Sequence, residues 1–450
     1  MITNPYVKEV LANFESKNQN KKEYIQACTE ILESLDLFFN KREDLVKQKV
    51  LERFLEPERY LEFRVAWLDD NGIVQVNRGY RVQYSSALGP YKGGLRFHPS
   101  VNESIIKFLG LEQCLKNSLT TLPLGGGKGG SDFDPKGKSD FEIMRFCQAF
   151  MNELYRHIGQ FTDVPAGDIG VGAREVGYLF GKYKKLQNEY SGALTGKGIS
   201  DGGSLGRKEA TGYGVLYFTS YALKSLLNTT LEGKRVIVSG SGNVALYALE
   251  KALNLKAKVI AMSDSDGYIY DEEGIDLEIM KEIKEVNHLR IKEYLKYRPN
   301  AKYTLNTESH IWSLPCDIAL PCATQNELDL EDAKDLVKNG VLGVFEGANM
   351  PTTSEAYRYL VDHKVIYGPG KAANAGGVAV SALEMSQNSL RLSWSKEEVD
   401  LKLKDLMKKI FTSILETNSK YQIPAHDLLV GANIKGFERI AEAIVAQGVL

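Results

Sequence analysis

Residues 235–245 read RVIVSGSGNVA, a β-branched run followed by the pattern Gly-x-Gly-x-x-Ala. Gly240 allows a tight turn, Gly242 lets the backbone approach a pyrophosphate, and Ala245 lets a helix pack closely on the strand. A helix that begins here would direct its free N–H groups at phosphate oxygens. The stretch therefore predicts a dinucleotide site rather than a plain tight turn, with contacts from Gly240, Ser241, Gly242, Asn243 and Val244.

The segments around this signature alternate between short apolar strands and helical or polar stretches. The predicted strands are 235–240, 258–264, 317–322, 341–346 and 365–368. Such alternation is typical of a parallel, doubly wound sheet. A polar, glycine-dense stretch precedes it at 191–206, and we place a domain boundary there.

The first part of the chain has a different pattern. Helix-periodic apolar residues fill roughly the first 55 positions, and from Tyr60 an alternating pattern around Asp70-Asn71-Gly72 predicts a hairpin. Two glycine- and lysine-rich loops are expected at 89–99 and 123–138, with a helix between them. We therefore predict an α/β protein with a substrate-binding domain at 1–200 and a Rossmann-like domain that begins at 201.

Composition sets the class of protein. A length of 450 residues predicts two or three domains, and 56 basic against 58 acidic residues argue against nucleic acid or a membrane as the main partner. Five irregularly spaced cysteines favour reduced thiols over a disulfide framework or a zinc site, and no metal is expected. The start of the sequence does not resemble a secretory signal, so we expect a cytoplasmic protein.

Three lysines accompany the glycine-rich segments, namely Lys92, Lys116 and Lys128. Glycines such as Gly93 beside Lys92 would let a ligand approach the backbone, whereas three solvated lysines are the ordinary alternative. Grouped lysines lower one another's pKa, which makes Lys128 a candidate base near neutral pH. The same segment is not a phosphate-binding P-loop, because Gly129 follows the lysine where Ser or Thr is required.

Three further side chains join this candidate site. Asp168 lies in a glycine-rich turn, where it is either a proton carrier or a simple turn aspartate. Gln113 is three residues before Lys116 on the predicted helix, so both can contact one carboxylate. Ser381 follows a small-residue stretch that starts at Asn374, and it either binds substrate or faces solvent.

The choice of dinucleotide is open from the residues alone. Asp264 stands 22 residues after Gly242, where a carboxylate would bind the ribose 2′-hydroxyl of NAD. Ser263, with Lys284 and Arg290, would equally surround a 2′-phosphate, and Lys136 is a candidate cation from the first domain.

Long strings spread over nearly the whole chain resemble the hexameric glutamate dehydrogenases whose chains are about as long as this one. The matching stretches are 90–99, 113–120, 124–130, 165–172, 207–214, 240–245, 346–353, 374–388 and 431–434. The resemblance implies two domains around a cleft, with 201–428 as the Rossmann-like domain. It also implies a hinge near Asn374, a tail at 429–450 that returns to the first domain, and a homohexamer.

The resemblance also implies an activity, the reversible oxidative deamination of glutamate to 2-oxoglutarate and ammonium. Lys92 and Ser381 would hold the side-chain carboxylate, and Lys116 and Gln113 the α-carboxylate. Lys128 would activate water, and Asp168 would exchange protons with the nitrogen. Thr211, Asn349 and Asn374 would line the nicotinamide end of the cofactor site.

Ser263-Asp264-Ser265 resembles the NADP-linked members, so NADP is the expected cofactor and NAD the alternative. Two other functions stay open at this point. One is a dehydrogenase for a branched or aromatic amino acid, which Lys92 and Ser381 argue against. The other is a catalytically silent nucleotide-binding protein, which the joint presence of Lys128 and Asp168 argues against.

Overall fold

The computed structural model describes residues 2–449, and the chain divides into two compact units. One unit extends to Arg207 and also contains Val378–Val399 and the C-terminal segment from Asn433. The other contains Lys208–Gly377 and Asp400–Ala432. We call them the N-terminal unit and the dinucleotide unit, and we describe each by itself.

The N-terminal unit begins with helices and continues with a mixed α/β region. Its elements are α1 (Pro5–Lys17), α2 (Lys22–Phe39), α3 (Val50–Leu55), β1 (Arg59–Leu68), β2 (Val74–Ser85), β3 (Tyr91–Phe97), α4 (Glu103–Leu119), β4 (Gly126–Ser131), α5 (Asp140–Leu154), β5 (Asp163–Gly167) and α6 (Ala173–Gln187). The capping box of Ser139 and Glu142 fixes the start of α5, because each side chain bonds the other residue's backbone N–H.

The sheet of this unit has the order β1-β2-β4-β3-β5. The predicted hairpin is confirmed, since β1 and β2 pair antiparallel, and β3 lies parallel to both β4 and β5. The two predicted glycine-rich loops are in part strands, so that prediction was wrong for β3 and β4. Glycine is required there because a Cβ on Gly93 would lie 1.6 Å from the carbonyl oxygen of Gly127.

Apolar side chains from α5 and α6 cover one face of this sheet. Phe97, Phe146 and Phe150 are fully buried in this cluster, and the rings of Phe133 and Phe146 stack with centroids 3.8 Å apart. On β1, Val65 and Trp67 are buried while their neighbours are exposed, as the alternating pattern predicts. This packing fixes the strand ends from which the candidate site residues project.

The dinucleotide unit has the predicted alternation of strands and helices. Its elements are α7 (Ala210–Leu227), β6 (Arg235–Val238), α8 (Asn243–Asn254), β7 (Lys258–Ser263), β8 (Gly267–Tyr270), α9 (Leu277–Lys281), β9 (Lys302–Leu305), β10 (Ile318–Leu320), α10 (Leu330–Lys338), β11 (Gly343–Phe345), α11 (Ser354–Asp362), β12 (Ile366–Gly368) and α12 (Gly370–Ala373). Three helices follow: α13 (Gly376–Leu390), α14 (Lys396–Tyr421) and α15 (Leu428–Ala446).

The sheet of this unit has the order β12-β11-β10-β6-β7-β8-β9. Its five parallel strands correspond to the five predicted ones, which confirms the doubly wound sheet. The antiparallel edge strands β8 and β9 were not predicted, because each has only four residues and lies within polar sequence. Strand order reverses between β10 and β6, the position where such sheets bind ligands.

The division of the chain differs from the sequence-based boundaries. We predicted 201–428 as one domain, whereas Val378–Val399 packs with the N-terminal unit and the tail returns to it at Asn433 rather than 429. The reason is a set of buried polar contacts that sequence periodicity does not register. Glu384 accepts hydrogen bonds from the backbone N–H groups of Gly196 and Lys197, and Gln387 donates to Ser204.

Candidate active site

Two strands on either side of β3 in the N-terminal unit bring Lys128 and Asp168 together. Lys128 lies in the middle of β4, and Asp168 follows the last residue of β5. Both strands pair with β3, so the two side chains meet although 40 residues separate them. Lys128 Nζ is 3.1 Å from Asp168 Oδ2, with 4% and 18% of the respective side chains exposed.

The charges around this pair determine its protonation. Burial lowers the pKa of Lys128, and Asp168 opposes that shift only in part. For Asp168, burial favours the neutral acid, but Lys128 and Arg96 outweigh it and hold the pKa well below its usual range. Arg96 Nε donates to Asp168 Oδ2 at 2.8 Å. The site therefore keeps an ionised carboxylate beside an amine that loses its proton more readily than an ordinary lysine.

Lys92 is buried on the neighbouring strand β3. Its pKa lies well below the usual value because of burial first, and then because the cations Arg207 and Arg81 are near. The backbone on either side is held rigidly, since Asn117 Nδ2 donates to the Lys92 carbonyl at 3.0 Å and Arg81 donates to the Gly93 carbonyl at 3.1 Å. Lys92 is thus a preorganised cation site with little room to rearrange.

Lys116 and Gln113 lie on one face of α4, as predicted. Burial, and then the nearby charge of Lys128, lower the pKa of Lys116 to about 8. Gln113 Nε2 donates to Asn117 Oδ1 at 2.7 Å, so its amide is already oriented. The Cγ of Gln113 would be 3.3 Å from a Cβ on Gly93, which places this side chain against the Lys92 strand.

Ser381 is buried on α13 and does not face solvent. Arg207 Nε donates to its hydroxyl at 2.9 Å. This serine and the grouped lysines therefore belong to one unit, in which Arg207 acts electrostatically on both Lys92 and Lys116.

Sequence reasoning missed several residues of this site. Arg81 and Asp163 are both fully buried and form an ion pair beneath β3, with Gln83 donating to Asp163 at 3.1 Å. Arg207 and Thr195 carry no local signal of a site role, although the buried hydroxyl of Thr195 has no partner among the described residues. An arginine within a hydrophobic strand was the available signal for Arg81, because a buried guanidinium needs a carboxylate partner.

In the dinucleotide unit the glycine-rich turn has the predicted form. Gly240 has φ +81° and packs against Ala323, and its N–H donates to Ser263 Oγ at 2.9 Å. Gly242 is the N-cap of α8, no side chain caps that helix, and nothing lies within 4 Å of where a Cβ on Gly242 would stand. The free first-turn N–H groups, Asn243 and Val244 among them, and the open space above them fit a pyrophosphate.

The carboxylate of Asp264 is already hydrogen-bonded to backbone N–H groups of the same unit. Its two carboxylate oxygens accept the backbone N–H groups of Asp266, Gly267 and Ile291. Beside it, Arg290 Nη1 donates to Ser265 Oγ at 2.6 Å and Arg290 Nε is 3.3 Å from Asp266. Residues 263–265 and Arg290 thus place hydroxyl and guanidinium donors beside Asp264, whose carboxylate already accepts backbone hydrogen bonds.

Asn374 supplies the second indication that the unit is built for a ligand. Its Nδ2 donates to Gly347, Ala348 and Asn349, while its buried Oδ1 has no partner among the described residues. Such an orphaned acceptor suits a carboxamide donor. Thr211 is in the first turn of α7, and Lys136 is exposed in the N-terminal unit, where its backbone N–H bonds Asp134.

Glu327 carries a carboxyl group next to the glycine-rich turn. It accepts the backbone N–H groups of Ala323 and Thr324 at 2.9 and 3.2 Å, and Ala323 contacts Gly240. Burial raises the pKa of Glu327 to about 7. Because the unfolded chain releases this proton at lower pH, the folded state loses stability as pH rises from the ordinary glutamate value toward 7.

Replacing Glu327 with glutamine should therefore raise the thermal unfolding midpoint at pH 8, by roughly 3–6 °C. The amide oxygen can still accept both N–H groups, and no buried charge forms. The gain should shrink as pH is lowered to 5, where the folded protein keeps the proton on Glu327. Scanning calorimetry at both pH values checks this, with Glu331→Gln as the exposed control; a gain that is the same at both would contradict it.

None of the helices within residues 2–449 is long and apolar enough to cross a membrane.

Comparison with known proteins places the chain in a family. Residues 57–185 match the family described as Glu/Leu/Phe/Val dehydrogenase, dimerisation domain, and residues 202–448 match Glutamate/Leucine/Phenylalanine/Valine dehydrogenase. The chain is 58% identical over 450 residues to the NADP-specific glutamate dehydrogenase of Helicobacter pylori, covering 99% of this chain and 100% of that one. It is 55% identical over 444 residues to the NAD(P)-specific glutamate dehydrogenase of Xylanibacter ruminicola, covering 98% and 99%.

A solved structure agrees with these matches. The glutamate dehydrogenase of Plasmodium falciparum superposes with a TM-score of 0.95 at 54% identity, covering 99% of this chain and 95% of that one. The kinship predicted from the sequence is thereby confirmed, and the chain belongs to the Glu/Leu/Phe/Val dehydrogenase family.

Proposed function

We propose that this protein is an NADP-dependent glutamate dehydrogenase. In the direction of deamination, L-glutamate, water and NADP⁺ give 2-oxoglutarate, ammonium, NADPH and a proton. The observation that carries the proposal is the ion pair of Lys128 and Asp168, which lies beside the buried amine of Lys92 and the partly exposed guanidinium of Arg207. The relatives that match over their full length include NADP-specific glutamate dehydrogenases, which supports the same reaction.

The cations account for a dicarboxylic substrate. Lys92, together with Ser381 and Arg207, binds the side-chain carboxylate, and Lys116 with Gln113 binds the α-carboxylate. Isolated buried cations are unfavourable, and an arriving dianion offsets that cost. The buried hydroxyl of Thr195 is a further candidate contact for the substrate. A branched or aromatic side chain would leave the buried Lys92 without a substrate carboxylate, so such substrates are disfavoured.

Lys128 and Asp168 carry the proton transfers. NADP, when bound, supplies the hydride acceptor for Cα. Lys128, whose pKa is lowered by burial, takes a proton from water as that water attacks the iminium carbon. Asp168 is ionised and lies 3.1 Å from Lys128 Nζ, so it exchanges protons with the amine that leaves. The ionised carboxylate of Asp168 is the fixed charge that stabilises the cationic iminium.

For the cofactor, the turn of Gly240, Ser241 and Gly242 with the start of α8 holds the pyrophosphate, and Thr211, Asn349 and Asn374 hold the nicotinamide end. Asp264 is committed to backbone N–H groups, so we assign it a structural part in the 2′-phosphate pocket. Ser263 and Arg290 complete that pocket within the dinucleotide unit. Preference for NADP over NAD follows from the hydroxyl and guanidinium donors at this position, where backbone N–H groups already bind the Asp264 carboxylate.

The family resemblance extends the proposal to a homohexamer in the cytoplasm. Mass measurement in solution tests the assembly, since a hexamer has six times the chain mass of 50.1 kDa.

Initial rates test the function itself. Purified protein with 2-oxoglutarate and ammonium should oxidise NADPH faster than NADH. Arg290→Ala should raise KM for NADPH about tenfold and leave KM for NADH unchanged, because it removes one charge-assisted contact to the 2′-phosphate. Lys296→Ala, which breaks an exposed ion pair with Glu293 nearby, is the control. Inactivity with both cofactors would contradict the proposed function, and an equal effect of Arg290→Ala on both would contradict its role.

A further inference from the structure

A third ion pair of low exposure lies in the N-terminal unit, besides Lys128–Asp168 and Arg81–Asp163, and the reaction as proposed does not use it. Lys197 Nζ donates to Glu384 Oε1 at 2.8 Å, to the Leu194 carbonyl at 2.7 Å and to Asn388 Oδ1 at 2.7 Å. The side chains are 1% and 0% exposed. A pair so fully removed from water is expensive to bury, which makes a purely stabilising purpose a weak explanation.

The pair connects the loop that ends at Arg207 to the helix that carries Ser381. Ser381, Glu384 and Asn388 lie on one face of α13, three and four residues apart. Along that face Glu384 accepts the Gly196 N–H at 2.9 Å and Asn388 donates to the Gly202 carbonyl at 2.6 Å. At the end of the same face Arg207 bonds Ser381, so the position of both depends on this row of contacts.

Charge connects the pair to Lys92 as well. Four charged groups act on Lys92: the cations Arg207 and Arg81, and the anions Glu384 and Asp163. Asp163 is already bound to Arg81 by two hydrogen bonds. Glu384 is therefore the anion that acts on both Arg207 and Lys92, and its ion-pair partner Lys197 balances its charge.

We propose that Lys197 and Glu384 are a positioning pair for the subsite of the side-chain carboxylate: they fasten the loop that ends at Arg207 to helix α13 and so hold Arg207 against Ser381 before a dicarboxylate binds. This inference rests on the proposed function. Neither residue touches the substrate; both act through Arg207, Ser381 and Lys92.

The pair has opposite electrostatic consequences when its members are removed singly. Glu384→Gln removes an anion and leaves Lys197 uncompensated, so Lys92 should release its proton at lower pH. Lys197→Met removes a cation and leaves Glu384 uncompensated, so Lys92 should keep its proton to higher pH. A merely structural pair would move both variants in the same direction.

The experiment compares two 2-oxo acids, 2-oxoglutarate and 2-oxopentanoate, which has the same chain length without the distal carboxylate. Both substrates use Lys116 and Lys128. The KM for 2-oxoglutarate divided by the KM for 2-oxopentanoate, measured against pH, therefore isolates the subsite of Lys92. The pH at which this ratio rises should move down by about one unit in Glu384→Gln and up by about one unit in Lys197→Met. In the double variant the pH of this rise should stay near the wild-type value, because one anion and one cation are removed together. Shifts of the same sign, or none, would overturn the inference.

Two further readouts keep the test decisive. Wild-type protein is assayed first, because inactivity there contradicts the proposed function, whereas an active wild type with the wrong shifts contradicts only the pair. If a single variant does not fold, the double variant, which buries no unpaired charge, carries the test. It should raise KM for 2-oxoglutarate about tenfold through the loosened Arg207 and leave KM for 2-oxopentanoate unchanged; an equal rise for both overturns the inference.

Discussion

Replacing Lys128 with alanine should lower kcat for reductive amination about 10³-fold while KM for NADPH stays the same. The lysine supplies the base in the proposed reaction, and removal of a positioned general base has effects of this size. It also leaves Asp168 with Arg96 as its remaining cation, so proton exchange with the nitrogen is impaired as well. Stopped-flow and steady-state absorbance of NADPH measure the loss.

Two comparisons make the Lys128 result interpretable. Lys185→Ala, at an exposed position on α6, should behave as wild type. Asp168→Asn should also lose most of kcat, and the pH at which Lys128 becomes a base should fall, because an anion that opposes its deprotonation is gone. Undiminished turnover by Lys128→Ala would refute the assignment of the base.

Lys92→Leu should lower kcat/KM for 2-oxoglutarate about 10³-fold, the second largest effect we expect. The distal carboxylate of the substrate would then enter a buried site with one cation fewer, and leaving one partner of a buried charge pair alone has a cost of this order. The same variant should use 2-oxopentanoate at least as well as wild type does, since leucine provides the apolar contact that a methyl end requires.

The Lys92 variant separates specificity from folding. Leucine fits the buried position without a charge, and the strand contacts of Asn117 and Arg81 are made by the Lys92 and Gly93 backbone, so they persist. Lys107→Leu, on α4 and paired with Glu103, is the control. Equal losses of kcat/KM for 2-oxoglutarate and 2-oxopentanoate would show that Lys92 does not bind the distal carboxylate.

The sequence predicted the parts of the fold that local patterns encode. The run 235–245 has a strand, a turn that needs Gly240 at positive φ, and a helix start, and all three are present. Lys128 and Asp168 were singled out for their glycine-rich surroundings, and strand pairing across β3 places them in contact. Candidate catalytic residues that lie in glycine-rich segments can thus be identified from the sequence alone.

What the sequence did not reveal depends on distant partners. The role of Arg81 depends on its ion pair with Asp163, and that of Glu384 on its ion pair with Lys197. In both pairs the partner is far along the chain, so the sequence alone does not show it. The same long-range contacts move Val378–Val399 into the N-terminal unit against the predicted boundary. The hydrogen bonds from the turn at 264–267 and from Ile291 to the Asp264 carboxylate could likewise be identified only in the structure.

The most direct test of the central claim is product identification. The protein is incubated with 2-oxoglutarate, ¹⁵N-labelled ammonium and NADPH, and the product is followed by NMR and by chiral chromatography. We predict L-glutamate labelled at the α-nitrogen, formed in equal amount to the NADPH oxidised. NADPH oxidation without labelled glutamate, or no reaction at all, would contradict the account.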